Sequence, residues 1–174
     1  MYKDLLVVDE HDRPTGRRDF WTCHHQGLRH RGSCVFVFRD ASLSEVLLLR
    51  RSAHIVEPGK VANVGGHVDD GEDYLSTARN ELREELFHGL PFPDLAFQEL
   101  GKLRNDRPDN REFVTVFATV WPGPFRGDPR EVEEVLGFVP LADVEKDVAA
   151  HPDRYTIDFP LHLGFLLGCL RRPG

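Results

Sequence analysis

The sequence predicts an α/β fold in which helices cover both faces of a mixed β-sheet, an α/β/α sandwich. Short apolar runs typical of buried strands alternate along the chain with segments of helical periodicity. The longest helical pattern stands in mid-chain with strand patterns on both sides, which favours helices layered on a sheet. At 174 residues, 40% hydrophobic and 29% charged, the chain is expected to form one domain over residues 1–174.

Each expected element follows from a local pattern of apolar and turn-forming residues. The expected strands cover residues 5–8, 32–38, 46–49, 61–64, 95–103, 113–121 and 136–139. The expected helices cover residues 17–27, the segment after residue 72 up to about Gly89, residues 140–148 and residues 161–170. A polar loop over residues 104–111 is expected to join two antiparallel strands.

The stretch from Gly65 to Leu90 carries the most chemical information. At about 100° per residue, one face of its helical part is apolar, formed by Leu75, Ala78, Leu82 and Leu86. Glu81, Glu84 and Glu85 stand at i, i+3 and i+4 and share the neighbouring face, where carboxylates repel one another. Because Mg²⁺ and Mn²⁺ prefer oxygen ligands, a cation of this kind would remove the repulsion.

The spacing of this stretch resembles the Nudix box, G-x5-E-x7-R-E-U-x-E-E-x-G-U, where U is aliphatic. The residues that match in register are Gly66, Glu72, Glu81, Leu82, Glu84 and Glu85. Two positions depart from the pattern, since Asn80 replaces its arginine and Phe87 its second glycine. The resemblance covers about residues 30–145 and implies a Nudix-type α/β/α sandwich, with residues 65–90 as its loop and helix.

The resemblance also implies an activity. Nudix enzymes hydrolyse a nucleoside diphosphate linked to another moiety, X, using divalent metals that bridge the diphosphate oxygens. Carried over, the catalytic residues are Glu81, Glu84 and Glu85. Glu81 and Glu85 would be metal ligands, and Glu84 would be a ligand or would orient the attacking water. The carbonyl of Gly65 or Gly66 would add a further ligand.

Three residues near the box would support this set without binding the metal: Glu72, Asn80 and Arg83. In the family the box arginine braces the carboxylates. Asn80 can form hydrogen bonds but carries no charge, so the brace is weakened unless Arg79 or Arg83 takes part.

Charged residues outside the box are candidates for two further tasks. A general base often comes from another segment in this family, and Glu131, Glu133 and Glu134 precede a strand pattern. A basic group consisting of Arg50, Arg51 and Lys60 is expected to reach the phosphates of the substrate.

A second resemblance, to isopentenyl-diphosphate isomerases, concerns the N-terminal extension over residues 1–30 and parts of the strands. In those enzymes two N-terminal histidines, the histidine of a Gly-His pair and two strand glutamates bind a metal. The comparable residues here are His24 or His25, His30, His67 and Glu112, and we take His25, His30, His67 and Glu112 as a second metal site. Asn110 stands where the other glutamate would be.

The same resemblance bears on the reaction. Isomerisation needs an acid and a base on opposite faces of an alkene. The isomerases place a cysteine immediately before the Gly-His pair, where this chain has Gly65. Hydrolysis is therefore the preferred prediction. An isopentenyl-diphosphate isomerase variant and a non-catalytic, nucleotide-binding Nudix module remain the alternatives.

Composition limits the partners. The formal charge of −7 argues against nucleic acid, and no run approaches the ~18 apolar residues of a membrane span. With three cysteines, no Cys-x-x-Cys pair and no signal-peptide pattern, a reducing cytoplasm is expected. We expect a small-molecule diphosphate substrate, and the sequence leaves monomer and homodimer open.

Overall fold

The computed structural model describes residues 4–172. Its strands are β1 (Asp4–Val8), β2 (Pro14–Asp19), β3 (His30–Phe38), β4 (Glu45–Arg51), β5 (Val61–Ala62), β6 (Val64–His67), β7 (Gln98–Arg107), β8 (Asn110–Val120) and β9 (Val132–Pro140). Its helices are α1 (Phe20–Gln26), α2 (Tyr74–Leu86), α3 (Leu141–Ala150) and α4 (Phe159–Leu170), with a 3₁₀ turn over Pro152–Arg154.

Strand β3 is the centre of one mixed sheet that takes in all nine of these strands. It pairs in parallel with β8, where His30 lies opposite Glu112, and antiparallel with β6, where Gly32 lies opposite His67. Strand β4 pairs antiparallel with β5 and β9, and β7 pairs antiparallel with β8. The register of β3 thus brings His30, His67 and Glu112 to the same end of the sheet.

The sheet is covered on both faces, which confirms the predicted sandwich. Alternate residues of a strand face opposite sides. On β3, Val35 and Val37 pack with Leu82 of α2, in one apolar cluster. Phe36 and Phe38 pack with α3 and α4 in a second cluster. This arrangement explains why residues 34–38 of β3 and 46–49 of β4 are continuously apolar and do not alternate.

Helix α2 begins and ends through specific hydrogen bonds. The Asp73 side chain accepts from the Ser76 N–H, and the Ser76 hydroxyl side chain accepts from the Asp73 N–H, a capping box. The helix ends at Leu86, earlier than the predicted end near Gly89. The N–H groups of Arg126 and Asp128 donate to the carbonyls of Leu86 and Glu85, so the loop before β9 completes the last turn.

Other predicted boundaries are also wrong. Residues 17–19 belong to β2, paired with β1, and α1 begins only after its N-cap Asp19; its predicted end at Gly27 is confirmed, with φ +60°. Strand β7 starts at Gln98 and runs to Arg107, so the expected loop of eight residues is a two-residue turn before β8. Strand β9 starts at Val132, because its pairing with β4 extends to Arg51. None of the helices in residues 4–172 is both long and apolar enough to cross a membrane.

Candidate active site

A cleft of about 840 Å³ contains most of the residues singled out in the sequence. Its walls include the glycine pair, the box carboxylates, the N-terminal histidines and the arginines at the end of β4. The residues concerned are Gly65, Gly66, Glu81, Glu84, Glu85, His24, His25, His67, Glu112, Arg50, Arg51 and Glu131. One ligand can therefore contact both the box and the histidines.

Three carboxylates converge in this cleft. Glu81, Glu85 and Glu131 each present an oxygen, and these oxygens lie within 4.8 Å of one another. Burial and the charges of Glu81 and Glu131 raise the pKa of Glu85 well above its ordinary value. Such crowding is unfavourable in the protein alone and is relieved by a hard divalent cation, so the donor set fits Mg²⁺ or Mn²⁺.

Glu84 takes a different position from the one the sequence suggested for a ligand. Its side chain is exposed and lies outside the group of three carboxylates, although it lines the same cleft. Burial and the charge of Glu84 raise the pKa of Glu131. Glu84 is thus close enough to Glu131 to influence a group at the site, which suits the alternative role of orienting water.

Glu131 reaches the site because of the loop that completes α2. The Asp128 side chain accepts hydrogen bonds from Arg130, which lower the pKa of Asp128 to about 2. The Asp128 carbonyl accepts from the N–H of Glu131, and the carbonyl of Glu131 accepts from the N–H of Ser52. The sequence placed Glu131, Glu133 and Glu134 on equal terms, but the other two are exposed on β9.

The two glycines are needed for close approach. A Cβ atom at residue 66 would lie 2.3 Å from Oε1 of Glu81, so the carboxylate occupies the space next to that backbone. At residue 65, a Cβ atom would lie 2.7 Å from the carbonyl oxygen of Ser33. The Gly65 N–H lies 3.4 Å from Oε1 of Glu85 and donates to it.

A chain of hydrogen bonds runs through Asn80, which stands at the position of the box arginine. Asn80 Nδ2 donates to Oε1 of Glu72 at 2.9 Å, and Arg83 Nη2 donates to Oδ1 of Asn80 at 2.7 Å. Thr77 Oγ1 donates to the second oxygen of Glu72 at 2.8 Å. Arg79 turns away, since it donates to the carbonyl of Leu95. Of the two arginines considered from the sequence, Arg83 is the one that joins the brace.

The histidine group assembles from three separate elements. His24 on α1, His30 on β3 and His67 on β6 each present a ring nitrogen, and these nitrogens lie within 4.8 Å of one another. The prediction that His25 belongs to this group is wrong, because the His25 ring is exposed and stacks on Trp21. The helical turn of α1 directs His24 inward and the next residue outward.

Hydrogen bonds fix which nitrogen each ring presents. The Nδ1 atoms of His24 and His30 lie 2.9 Å from the carbonyls of Asp109 and Leu28, so both Nδ1 atoms carry the proton and donate. Both Nε2 atoms are buried; that of His24 lacks a hydrogen-bond partner among residues 4–172, whereas that of His30 faces the Glu112 carboxylate. In the neutral rings these atoms bear lone pairs, the form in which histidine binds metals.

Glu112 completes the group. Its Oε1 lies 3.3 Å from Nε2 of His30 and 3.2 Å from Nε2 of His67, while Asn110 donates to its Oε2. Burial raises the pKa of Glu112, but when His30 and His67 carry a proton on Nε2, their hydrogen bonds and charge outweigh burial and hold the pKa well below its ordinary value. Asn110, which stands at the position of the second glutamate of the isomerases, thus holds the Glu112 carboxylate in place.

The basic group separates into two parts. Arg50 and Arg51 line the cleft; Arg50 Nη1 donates to the carbonyl of Gly59, and Arg51 Nε donates to the carbonyl of Val56. Lys60 lies outside the cleft, and its ammonium group donates to the carbonyl of Asp153. The structure therefore does not bring Lys60 together with Arg50 and Arg51 at the cleft.

Comparison with known proteins agrees with this geometry. The NUDIX domain model matches residues 28–159, and the chain belongs to the Nudix family. An uncharacterised Nudix hydrolase of Yersinia pestis is 32% identical over 155 residues, which cover 87% of this chain and 79% of that protein. The chain is accordingly a Nudix hydrolase, an enzyme class that acts on substrates linked to a nucleoside diphosphate and generally uses divalent metals.

Two further similarities complete the comparison. An isopentenyl-diphosphate Delta-isomerase of Cereibacter sphaeroides is 33% identical over 159 residues, which cover 85% of this chain and 86% of that protein. The crystal structure of DR0079 from Deinococcus radiodurans has a TM-score of 0.76 and 20% identity, covering 97% of this chain and 100% of that one. The structural match shows the shared fold.

Proposed function

We propose that this chain is a divalent-metal-dependent hydrolase of a diphosphate bond in a nucleoside diphosphate linked to X. The observation that carries the proposal is the convergence of Glu81, Glu85 and Glu131 within 4.8 Å in a cleft large enough for such a substrate. This donor set fits Mg²⁺ or Mn²⁺.

The residues divide the work of hydrolysis. Glu81, Glu85 and Glu131 would hold the cation, which would supply charge to neutralise the diphosphate oxygens. Gly65 keeps Glu85 in position through its N–H, and Gly66 leaves room for Glu81. Glu84, exposed at the same wall, orients the attacking water. Water adds to one phosphorus and gives up a proton to Glu84, the bridging P–O bond breaks, and the leaving phosphate takes the electron pair.

We also propose that His24, His30, His67 and Glu112 bind a second metal ion. With Nδ1 donating to a carbonyl, Nε2 of neutral His30 is an acceptor that faces the anionic Glu112 at 3.3 Å. Two acceptors at this distance repel unless a proton or a cation lies between them. Three imidazoles and one carboxylate suit Zn²⁺ or Mn²⁺. The Gly65 carbonyl would be a ligand of the cation at the box site, not of the cation at the histidine group.

The alternative function is isopentenyl-diphosphate isomerisation, favoured by the isomerase relative and the histidine group. It is opposed by position 65, where a cysteine Cβ would lie 2.7 Å from the Ser33 carbonyl, so a strand shift would be needed. Cys34, paired opposite Gly65, is the cysteine that lines the cleft among residues 4–172. Burial raises the pKa of its thiol, so little thiolate is present to accept a proton.

The test is a product assay with Mg²⁺ and Mn²⁺ on nucleotide sugars, dinucleotides, nucleoside triphosphates and isopentenyl diphosphate. Phosphate or nucleotide release that disappears in Glu85→Gln would support hydrolysis at the box and reveal X. Allylic product from isopentenyl diphosphate, with no hydrolysis of the other compounds, would overturn the hydrolase proposal in favour of isomerisation. Circular dichroism of Glu85→Gln verifies that the variant is folded.

The setting of the reaction is also a proposal. Cys23, Cys34 and Cys169 are free thiols, and Cys23 and Cys34 are buried, which fits a reducing cytoplasm. The substrate is a small molecule, and nucleic acid is not expected as a partner because the net charge is −7. Size-exclusion chromatography with light scattering distinguishes monomer from homodimer.

A further inference from the structure

Apolar side chains from three distant parts of the chain line the same cleft and are exposed. They are Trp21 on α1, 51% exposed, Val56 in the loop between β4 and β5, 43% exposed, and Ile157 just before α4, 58% exposed. Among residues 4–172, six large hydrophobic side chains are at least 40% exposed, and these three are the ones that line the cleft. Single exposed apolar residues are ordinary, but three at one cleft indicate a binding surface.

The surface is held in place by the backbone on which it stands. Ile157 donates its N–H to Oε1 of Glu57 at 2.8 Å, which ties the segment before α4 to the loop that carries Val56. Arg51 Nε donates to the Val56 carbonyl at 2.8 Å, which ties that loop to the end of β4. Trp21 stacks on His25 with ring centroids 5.9 Å apart. These contacts pre-organise the side chains before a ligand arrives.

We propose that Trp21, Val56 and Ile157 form a subsite for an apolar or planar group attached to the diphosphate of the substrate. The proposal rests on the proposed function, which places the diphosphate at Glu81, Glu85 and Glu131 in the same cleft. The side chains of Val56 and Ile157 have no polar atom, so the subsite recognises its ligand by stacking and burial of apolar surface. A nucleobase face and a hydrocarbon chain share that chemistry, whereas a bare phosphate lacks it.

The test uses two variants of the subsite, Trp21→Ala and Ile157→Ser, called the rim variants. It compares their kinetics on substrates with and without an apolar or planar group. The probes are a nucleotide sugar, pentyl diphosphate and inorganic diphosphate, with Mg²⁺. In Trp21→Ala and Ile157→Ser we expect KM to rise about tenfold, equivalent to ~1.4 kcal/mol, for whichever organic diphosphate is the substrate. We expect kcat to stay within about twofold, and the kinetics with inorganic diphosphate to be unchanged.

Matched controls keep the comparison specific. Leu161→Ser removes an apolar side chain that is 41% exposed on α4 but does not line the cleft, and should leave KM unchanged. Trp21→Phe retains a ring and should restore most of the affinity. The organic compound whose KM responds identifies the group, nucleobase or hydrocarbon.

The subsite and the proposed hydrolysis fail in different ways. Unchanged KM in both rim variants, with hydrolysis intact, would overturn the subsite and leave the hydrolase standing. If no compound is hydrolysed, binding is measured instead: each organic diphosphate is titrated into the protein in the presence of Ca²⁺, and the tryptophan fluorescence is recorded. Quenching that disappears in Trp21→Phe, which retains Trp121, supports the subsite without hydrolysis; no quenching with either compound overturns it.

Discussion

The carboxylate of Glu81 fills the space in which residue 66 would carry a side chain. A Cβ atom at Gly66 would lie 2.3 Å from Oε1 and 2.8 Å from Oε2 of Glu81, far inside any permitted contact. The backbone of Gly66 is not in the left-handed region, so its glycine is not required by the turn. It is required by the carboxylate, which links strand β6 to helix α2 at the candidate metal site.

Gly66→Ala should therefore lower kcat/KM by about 10²-fold or more, because the added methyl group displaces Glu81 from its position. The measurement is steady-state hydrolysis of the substrate found in the product assay, together with thermal unfolding. Gly164→Ala is the control, since a Cβ there would meet no atom within 4 Å on α4. Full activity in Gly66→Ala would mean that Glu81 does not act from its present position.

Glu131→Gln should reduce kcat by about 10²-fold, because it removes one of the three converging carboxylates. It should also raise the Mg²⁺ concentration needed for half-maximal rate. Glu133→Gln changes a glutamate two residues away on the exposed face of β9 and should behave as the unmodified protein. Equal loss in both variants, or in neither, would contradict the assignment of Glu131.

Arg83→Ala should weaken Mg²⁺ binding about tenfold, because it removes the only positive charge in the hydrogen-bond chain from Arg83 through Asn80 to Glu72. Isothermal titration with Mg²⁺ measures the effect, and Arg83→Lys should recover part of it. Arg79→Ala is the matched control: Arg79 packs its guanidinium 5.0 Å from the Phe97 ring centre, so its loss should cost about 1 kcal/mol of stability without changing Mg²⁺ affinity.

His24→Ala should abolish tight binding of Zn²⁺ or Mn²⁺ at the histidine group, because it removes one of three converging nitrogens. Adjacent His25→Ala should leave binding intact, since that ring is exposed and stacks on Trp21. Equilibrium dialysis with metal analysis measures the stoichiometry, in a Glu85→Gln background so that the box site does not contribute. Identical stoichiometry in His24→Ala and His25→Ala would exclude a metal at these histidines.

Much of the fold was predictable because hydrophobic periodicity records burial. The apolar runs of β3 and β4 were identified from spacing, and so was most of the apolar stripe of α2. Ala78, Leu82 and Leu86 are buried as predicted, but the prediction for Leu75 is wrong, since it lies in the first turn of α2 and is 41% exposed. Boundaries were predicted less well where pairing decides them. Residues 17–19 and 104–107 read as helix and loop, yet they belong to strands because their backbone groups pair with β1 and β8. Local propensity carries no information about a distant partner.

The candidate site divides along the same line. The box glutamates were found from the sequence because a helix places i, i+3 and i+4 on one face. Glu131 was not distinguishable from Glu133 and Glu134, because only the loop that completes α2 brings it to the cleft. His24 was not distinguishable from His25, because the choice depends on the start of α1 after Asp19.

The sequence by itself determined the family, the box helix and the type of chemistry, since these depend on residues close together in the chain. The tertiary structure decided which glutamate joins the box carboxylates, which histidine faces inward and which arginine donates a hydrogen bond to Asn80. It also brought Trp21, Val56 and Ile157 to one cleft. The physical reason is that helical spacing fixes neighbours within a turn, whereas strand pairing and helix packing fix neighbours that are tens of residues apart.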